Sequence, residues 1–451
     1  NVDMAEKLGV LNKLYYKLPV CLQNLMCSVK GYLVCRRRYN KSFYKYLELY
    51  EGGKVNAILE LRKFLQEAEK SEFYKDLFES TKFNIEAENI YDELRKLPVL
   101  LKSDVVKNHR KILNTHYVGK TIDVGTSGTT GAGLFFPMAV DAEIKQWAVW
   151  WRYRRNLGIG LDTWCGWFGG KIVVPARQQK SPYWRINFFA KQVMFSYLHL
   201  TKDTVGKYYK EIKKRKLPWL HGYACNIYLL ASLIKDKGLQ PLEYVRFVTT
   251  GSDNLLDSYR ILIKQVFPNA QVHQHYGLGE SVANFSEDRN GVIRVDDDFA
   301  YVEFIPLDEE EPELCRIIGT GFCNSAFPLI RYDTGDIARI RYDDQGRIQI
   351  LGIDGRSTEY VKLPGGRRIG VTGLDNFEYL TKIEAAQYIQ EDLYSLTVKV
   401  VKGKGYDEQE EKGLLNEIYS RIPKEVKVKI EYVDKLERTK SGKIRLIISE
   451  V

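Results

Sequence analysis

Gly125 to Gly133 reads GTSGTTGAG and lies between two apolar pieces, TIDV at 121–124 and LFFPM at 134–138. Glycines tolerate positive φ, so successive backbone N–H groups can converge, and three threonines with one serine add hydroxyl donors. The stretch therefore suits a string of phosphate oxygens. A Walker A loop would need a lysine at its end and a helix after it. Here Leu134-Phe135-Phe136 follows and reads as a strand, so the loop is expected to join two strands. Taken alone, it fits either a phosphate grip or an ordinary hairpin.

Upstream, to about residue 114, the pattern is mainly helical, with apolar residues at three- and four-residue spacing over 54–69 and 85–97. Downstream, 139–156 reads as a helix rich in tryptophan and arginine. Strand and helix patterns then alternate: a strand over 244–250, a turn at Gly251-Ser252-Asp253, a helix over 257–267 and a strand over 271–275. This alternation predicts a largely parallel sheet flanked by helices, with ligands at the carboxyl ends of its strands. From Ser357 onward, strands over 360–362, 396–402 and 426–434 and an acidic helix over 407–422 predict a second, smaller α+β unit.

At 451 residues the chain is long enough for one large and one small domain. Its formal charge of +10 is spread in short runs such as Arg36-Arg37-Arg38 and Arg152/Arg154/Arg155, which read as solvated faces and argue against nucleic acid as the partner; a polyphosphate substrate accounts for part of the excess. Seven cysteines without a CxxC pair read as reduced thiols and a cytoplasmic protein. Residues 1–15 are mixed polar and charged, so no secretory signal is expected there. The segment 18–35 carries Gln23, Asn24 and Lys30 and fails as a spanning helix of about 20 apolar residues. With three arginines after it, it fits either a helix packed on the domain or one resting on a membrane surface.

Two further turns carry chemistry. Tyr276-Gly277-Leu278-Gly279-Glu280 follows a strand: its ring can lie against a flat base, and its carboxylate can hold Mg²⁺ or a water bound to it. Arg331-Tyr332-Asp333-Thr334-Gly335-Asp336 reads as a strand end closing in a tight turn, where an aspartate can accept from both hydroxyls of a ribose.

GTSGTTG, YGLGE, RYDTGD, then Gly355-Arg356 and Arg438-Thr439-Lys440-Ser441-Gly442-Lys443 resemble, in order and rough spacing, the motif set of the adenylate-forming superfamily of acyl-CoA synthetases, aryl-acid ligases and luciferases. Within it the chain looks most like the phenylacetate-CoA ligase group and its capsule-biosynthesis branch, CapK, from LYYKLPVCLQNLMCSVKGYLVCRRRY through NSAFPLIRYDTGD to the C-terminus. The resemblance implies an α/β fold: an adenylate-forming domain of mixed sheets over 1–356, whose first 114 residues are mainly helical, and a mobile α+β lid over 357–451.

It also implies an ATP-dependent carboxylic acid ligase, forming an acyl- or aryl-adenylate and passing the acyl group to coenzyme A. Thr126, Ser127, Gly128, Thr129, Thr130 and Gly131 would grip the phosphates. Gly251, Ser252, Asp253, Tyr276 and Gly277 would form the adenine pocket, Asp336 would hold the ribose and Glu280 would assist Mg²⁺. Arg356 would reach the ribose or phosphate, and Lys443 would bridge the attacking carboxylate and the α-phosphate. Trp167, Phe168 and Tyr223, with Trp164, Trp184 and His221, are candidates for an aromatic acid pocket, which would favour aryl acids. The remaining histidines, including His273 and His275, read as structural.

Three departures stand out. Thr358 occupies the hinge position where relatives have aspartate or lysine, Gly133-Leu134 replaces proline-lysine after the loop, and Asp343-Asp344-Gln345-Gly346 replaces clustered cysteines, so no structural metal is expected there. Alternatives are transfer to an amine or a carrier-protein thiol in surface-polysaccharide synthesis, with association to such an assembly or to a membrane, and a non-catalytic nucleotide-binding subunit.

Overall fold

The computed structural model describes residues 14–125, 134–175, 177–252, 255, 257–306, 312–353, 360–364, 368–370, 383–402, 405–434, 436, 447–449 and 451. It divides into two compact units, residues 1–124 with 136–355 and residues 125–135 with 356–451.

The larger unit opens with helices α1 (Val20–Arg38), α2 (Lys41–Glu51), α3 (Ala57–Ala68), α4 (Glu72–Thr81), α5 (Ile90–Leu94), α6 (Lys102–Lys107) and α7 (His109–Ile112). Polar caps set where they start: Asn40, Asn56, Ser71 and Asn89 each accept from backbone N–H groups of the first turn that follows them. The helix predicted over 85–97 shrinks to Ile90–Leu94 for this reason. Asn89 caps it late, and the carbonyl of Ala87 is taken by the Arg62 guanidinium at 2.6 Å instead of a helical N–H.

This helical region is stitched to chain far downstream. The Tyr74 hydroxyl donates to Pro328 O and accepts from Ile330 N, both at 3.1 Å. Leu100 N donates to Arg331 O and Asp333 N to Leu100 O, both at 2.9 Å. Arg331 is buried and forms a two-pronged pair with Glu303 at 2.8 and 2.9 Å, and it also donates to the carbonyls of Arg95 and Leu97. Such an ion pair holds because its guanidinium donors have carboxylate or carbonyl partners.

Strands β1 (Thr121–Gly125) and β2 (Phe135–Ala139) pair in a two-stranded sheet, the hairpin expected around the glycine-rich loop, and α8 (Val140–Leu157) follows at once. Then come β3 (Cys165–Phe168), β4 (Trp184–Asn187), β5 (Gln192–Phe195), α9 (Val205–Arg215), β6 (Trp219–Gly222), α10 (Ala224–Asp236), β7 (Phe247–Thr250), α11 (Asp257–Val266) and β8 (Gln271–Gly277). The strands β9 (Asn284–Glu287), β10 (Ile293–Val295), β11 (Ala300–Pro306), β12 (Leu314–Gly321), β13 (Tyr332–Tyr342) and β14 (Ile348–Ile353) complete the unit.

Strands β3 to β14 form one sheet in the order β11-β12-β13-β14-β10-β9-β8-β7-β6-β3-β5-β4. Only part of it is parallel. β5, β3, β6, β7 and residues 271–274 of β8 run parallel, whereas residues 275–277 of β8 pair antiparallel with β9, and all strands beyond are antiparallel. The expectation of a largely parallel sheet therefore holds for one half, and the mixed α/β class holds for the whole. Every residue of β7 is buried, as befits a strand covered on both faces. Ile227, Leu230 and Ile263 of α10 and α11 pack with Leu220 and Val248 in that core, all fully buried.

In the smaller unit, β15 (Tyr360–Lys362) pairs with β16 (Arg368–Gly370), and β17 (Ile383–Asp392), β18 (Ser395–Lys402), β19 (Lys427–Tyr432) and β20 (Ile447–Ser449) form a sheet ordered β19-β18-β17-β20. Helix α12 (Glu408–Tyr419), capped by Asp407, places Leu414 in a core with Val398, Val400 and Ile447. Among the described residues, no helix is long and apolar enough to cross a membrane.

Candidate active site

The candidate residues gather where β8 changes partners. β7 and β8 are parallel, with Thr250 opposite Gln274, so Gly251-Ser252 leaves β7 beside His275. A Cβ at Gly251 would fall 2.7 Å from His275 Cε1, and one at Gly222, at the end of β6, would fall 2.4 Å from Phe168 O. Both positions demand glycine for space. Ser252 then turns through φ 73°, a left-handed conformation that costs a residue bearing a Cβ. These turns form the carboxyl edge of the parallel strands, where ligands bind in such sheets.

The RYDTGD motif does not end a strand; it opens β13 and bulges. Arg316 lies opposite Ile337 and Ile318 opposite Asp333, so residues 334–336 together face Ile317 alone. Gly335 supplies the positive φ of 76°. Short side-chain bonds fix the bulge: Thr334 Oγ1 donates to Ile317 O at 3.0 Å, Gly335 N donates to Asp333 Oδ1 at 2.9 Å, and Asp336 N donates to Thr334 Oγ1 at 3.1 Å. The same bulge separates the two acids. Asp333 accepts from Arg316, while Asp336 Oδ2 accepts from the Tyr276 hydroxyl at 2.7 Å.

The Tyr276 ring stacks on Phe285 of β9, centroids 4.7 Å apart and planes 22° apart. Burial, then the charge of Asp336, holds the Tyr276 hydroxyl well above the usual phenol range, and the carboxylate of Glu280 adds to the effect. The hydroxyl therefore stays protonated and remains a donor. Below this platform, Asn284 Oδ1 accepts from Trp150 Nε1 at 2.7 Å, and Asn284 Nδ2 donates to Asp296 at 2.6 Å. Asp296 in turn pairs with Arg152 at 2.7 Å, so α8 clamps β9 from behind.

Behind this edge the rings of His221 and His275 lie 6.0 Å apart and nearly parallel. The carbonyl of Thr249 lies 3.0 Å from His221 Nδ1, which assigns the proton to that nitrogen. Arg154 is only 5% exposed and sits over Trp151, Trp219 and Trp147 at 4.9, 5.3 and 5.5 Å, with no acidic side chain paired to it among the described residues. Burial, then the Arg154 charge, pushes His275 down to about 3 and His221 well below its ordinary range.

Both rings are thus neutral in the folded state, while in the unfolded chain they protonate near pH 6.5. The unfolded state then binds more protons, so this contribution to stability is full above pH 6.5 and is lost as pH falls toward about 3. Acidification below 6.5 is expected to cost roughly 1.4 kcal/mol per pH unit for each histidine, read from urea midpoints between pH 7.5 and 5. His275→Gln should flatten that slope; an unchanged slope would contradict the assignment.

The acid-pocket candidates separate. Phe168 is fully buried and stacks on Phe195 at 4.7 Å, so its ring belongs to the core and is not a pocket wall. Its carbonyl is what reaches this edge, accepting from Tyr223 N at 3.2 Å and Asn226 Nδ2 at 3.0 Å. Trp167 and Tyr223 are half-buried, and Gly170 leaves space for the Tyr223 ring, whose hydroxyl a Cβ there would meet at 2.5 Å. Glu280 is half-buried near Tyr276. Asp343 closes the turn between β13 and β14, accepting from the backbone N–H groups of Gln345 and Arg347.

Thr126, Ser127, Gly128, Thr129, Thr130, Gly131, Asp253, Arg356, Thr358 and Lys443 lie outside the described residues. Sequence reasoning missed Phe285, whose placement under Tyr276 was signalled only by the alternation of ANFSE after YGLGE. It also missed the cage around Arg154, which had read as a solvated charge run.

Residues 365–450 match the family model described as the CapK C-terminal domain. The C-terminal segment is therefore similar to that of CapK proteins. The likeness to CapK runs beyond it: Protein CapK of Staphylococcus aureus is 26% identical over 98% of this chain and 100% of its own length. A crystal structure of 2-hydroxyisobutyryl-CoA ligase in the thioesterification state, with 2-HIB-AMP and CoA, superposes with a TM-score of 0.55 at 15% identity, covering 87% of this chain and 88% of that one. The same ligase in the postadenylation state gives 0.51 at 15% identity, covering 87% and 89%. The fold is therefore that of the adenylate-forming ligases, and the resemblance to that superfamily and its CapK branch holds.

Proposed function

We propose that this chain is an ATP-dependent carboxylic acid ligase that makes an acyl- or aryl-adenylate and transfers the acyl group to coenzyme A. The observation that carries the reading is the Tyr276–Asp336 hydrogen bond, which joins two motifs 60 residues apart at the carboxyl edge of the parallel strands. It sets an aromatic platform and a hydroxyl-binding carboxylate side by side, the pair that a nucleoside requires. Gly251, Ser252, Asp253 and Gly277 would complete the base pocket, and Thr126 to Gly131 would hold the phosphates.

Glu280 offers the single hard oxygen ligand that suits Mg²⁺, which keeps most of its waters when bound beside phosphates. Arg356 and Lys443 would supply positive charge at the α-phosphate. Coenzyme A as acceptor is supported by the likeness of fold to a ligase crystallised with it. A second acceptor class, an amine or a carrier-protein thiol in surface-polysaccharide synthesis, follows from the resemblance to the capsule-biosynthesis branch, whose member Protein CapK is similar along 98% of the chain. Buried, unpaired Cys165, Cys315 and Cys323 suit a cytoplasmic enzyme.

The test is pyrophosphate release from ATP and Mg²⁺ across aliphatic, aryl and amino acids with no acceptor present. Release with at least one acid, followed by thioester with coenzyme A or amide with an amino sugar, is the expected result. Thermal stabilisation by ATP with no release for any acid would replace the ligase by a nucleotide-binding subunit.

A further inference from the structure

We propose that the outward face of α1 binds the surface of a negatively charged lipid bilayer. Independently of the ligase reading, α1 packs on the domain through uncharged polar residues rather than through an apolar stripe. Gln23 is 2% exposed and bonds Arg185, Asn24 Oδ1 accepts from Ile186 N at 2.9 Å, and Ser28 Oγ donates to Ile186 O at 3.1 Å. A Cβ at Gly31 would fall 1.9 Å from Asn187 Oδ1, so the helix lies close against β4, the edge strand of the large sheet.

The opposite face is apolar and open. Leu22, Leu25, Val29 and Leu33, at spacings of three and four, are 42%, 57%, 49% and 59% exposed, and Phe188 and Phe189 of the turn after β4 extend the stripe at 54% and 49%. A helix in a globular protein normally turns that stripe to the core, and a patch this continuous marks an interaction surface.

Charge chooses the occupant. Residues 14–39 contain no aspartate or glutamate. Arg37 and Arg38 are spent on Glu143 at 2.7 and 2.6 Å, which pins the C-terminal turn of α1 to α8. Lys17, Lys30 and Arg36 are exposed and form no ion pair among the described residues. A second copy on this face would set these cations against their own kind, whereas anionic headgroups complement them while the leucines enter the boundary layer. Since α1 is not long and apolar enough to cross a membrane, it would lie on one.

Flotation of the full chain with vesicles of phosphatidylcholine, alone or with phosphatidylglycerol, tests this. Partition onto the anionic vesicles is expected to be on the order of 10²-fold stronger, falling with salt. Leu25→Glu with Leu33→Glu should abolish flotation with an unchanged thermal midpoint, since both sites are more than half exposed. Lys30→Glu with Arg36→Glu should erase only the preference for anionic lipid. Absence of flotation with both vesicle types would overturn the proposal. So would a wild-type dimer, by light scattering, that the double leucine variant converts to monomer, because a second copy would then cover the face.

Discussion

Lys443→Ala is expected to lower acid-dependent ATP–pyrophosphate exchange by about 10²-fold or more. A substrate carboxylate is already ionised near neutral pH, so the first step needs no general base. What it needs is relief of the repulsion between that carboxylate and the α-phosphate. A fixed ammonium in a dry site provides this, and water cannot replace it without reorganising. The lysine would be carried by the lid over 357–451, so its loss should spare the second half-reaction. Thioester formation from a preformed adenylate is expected to stay within a few-fold of wild type, because only interactions made in the adenylation transition state are removed. Near wild-type exchange by the variant would sink the role.

Asp336→Asn is expected to reduce kcat/KM for ATP by about 10²-fold, from two hydrogen bonds to a charged acceptor at roughly 1.5 kcal/mol each. The amide keeps the size of the side chain and can still accept from the Tyr276 hydroxyl, so the platform and the bulge at Thr334-Gly335 should survive. An unchanged thermal midpoint would separate this loss from misfolding. Tyr276→Phe, which removes a donor and keeps the ring on Phe285, should cost no more than about tenfold. Equal effects of the two substitutions would mean that Asp336 serves only to hold the tyrosine.

Much of this arrangement was legible from residues alone, where a local rule and the tertiary structure agree. The hairpin around the glycine-rich loop followed from two apolar pieces with no helix signal between them. α8, β7, α11 and β8 followed from periodicity, within a few residues at each end. Where two rules compete, the sequence was misleading. RYDTGD carries every sign of a turn, since aspartate, threonine and glycine all bond their own backbone there, yet those bonds build a bulge inside β13 and the strand continues through Tyr342. Phe168 sits in an aromatic run that suggests a pocket, but β3 alternation turns its ring into the core and leaves Trp167 and Tyr223 as candidates. Arg154 looked like one of three solvated arginines. Helical geometry instead sends it inward among tryptophans, while Arg152 pairs with Asp296 and Asp298. The convergence of Tyr276 with Asp336 came only from the resemblance, because no pattern within either motif encodes a partner 60 residues away.

The stitching of the helical opening region to Arg331 bears on how the polypeptide is made. The guanidinium that binds the Leu97 carbonyl is 234 residues further along. At ribosomal rates of about 5–20 residues per second, that carbonyl waits on the order of ten to fifty seconds for its partner. The first hundred residues thus leave the exit tunnel long before the segment that completes them exists. A nascent chain stalled ahead of Pro328 would present Tyr74 and Leu100 without their closing contacts, so the helical opening region reaches its final packing only after most of the large sheet has been synthesised.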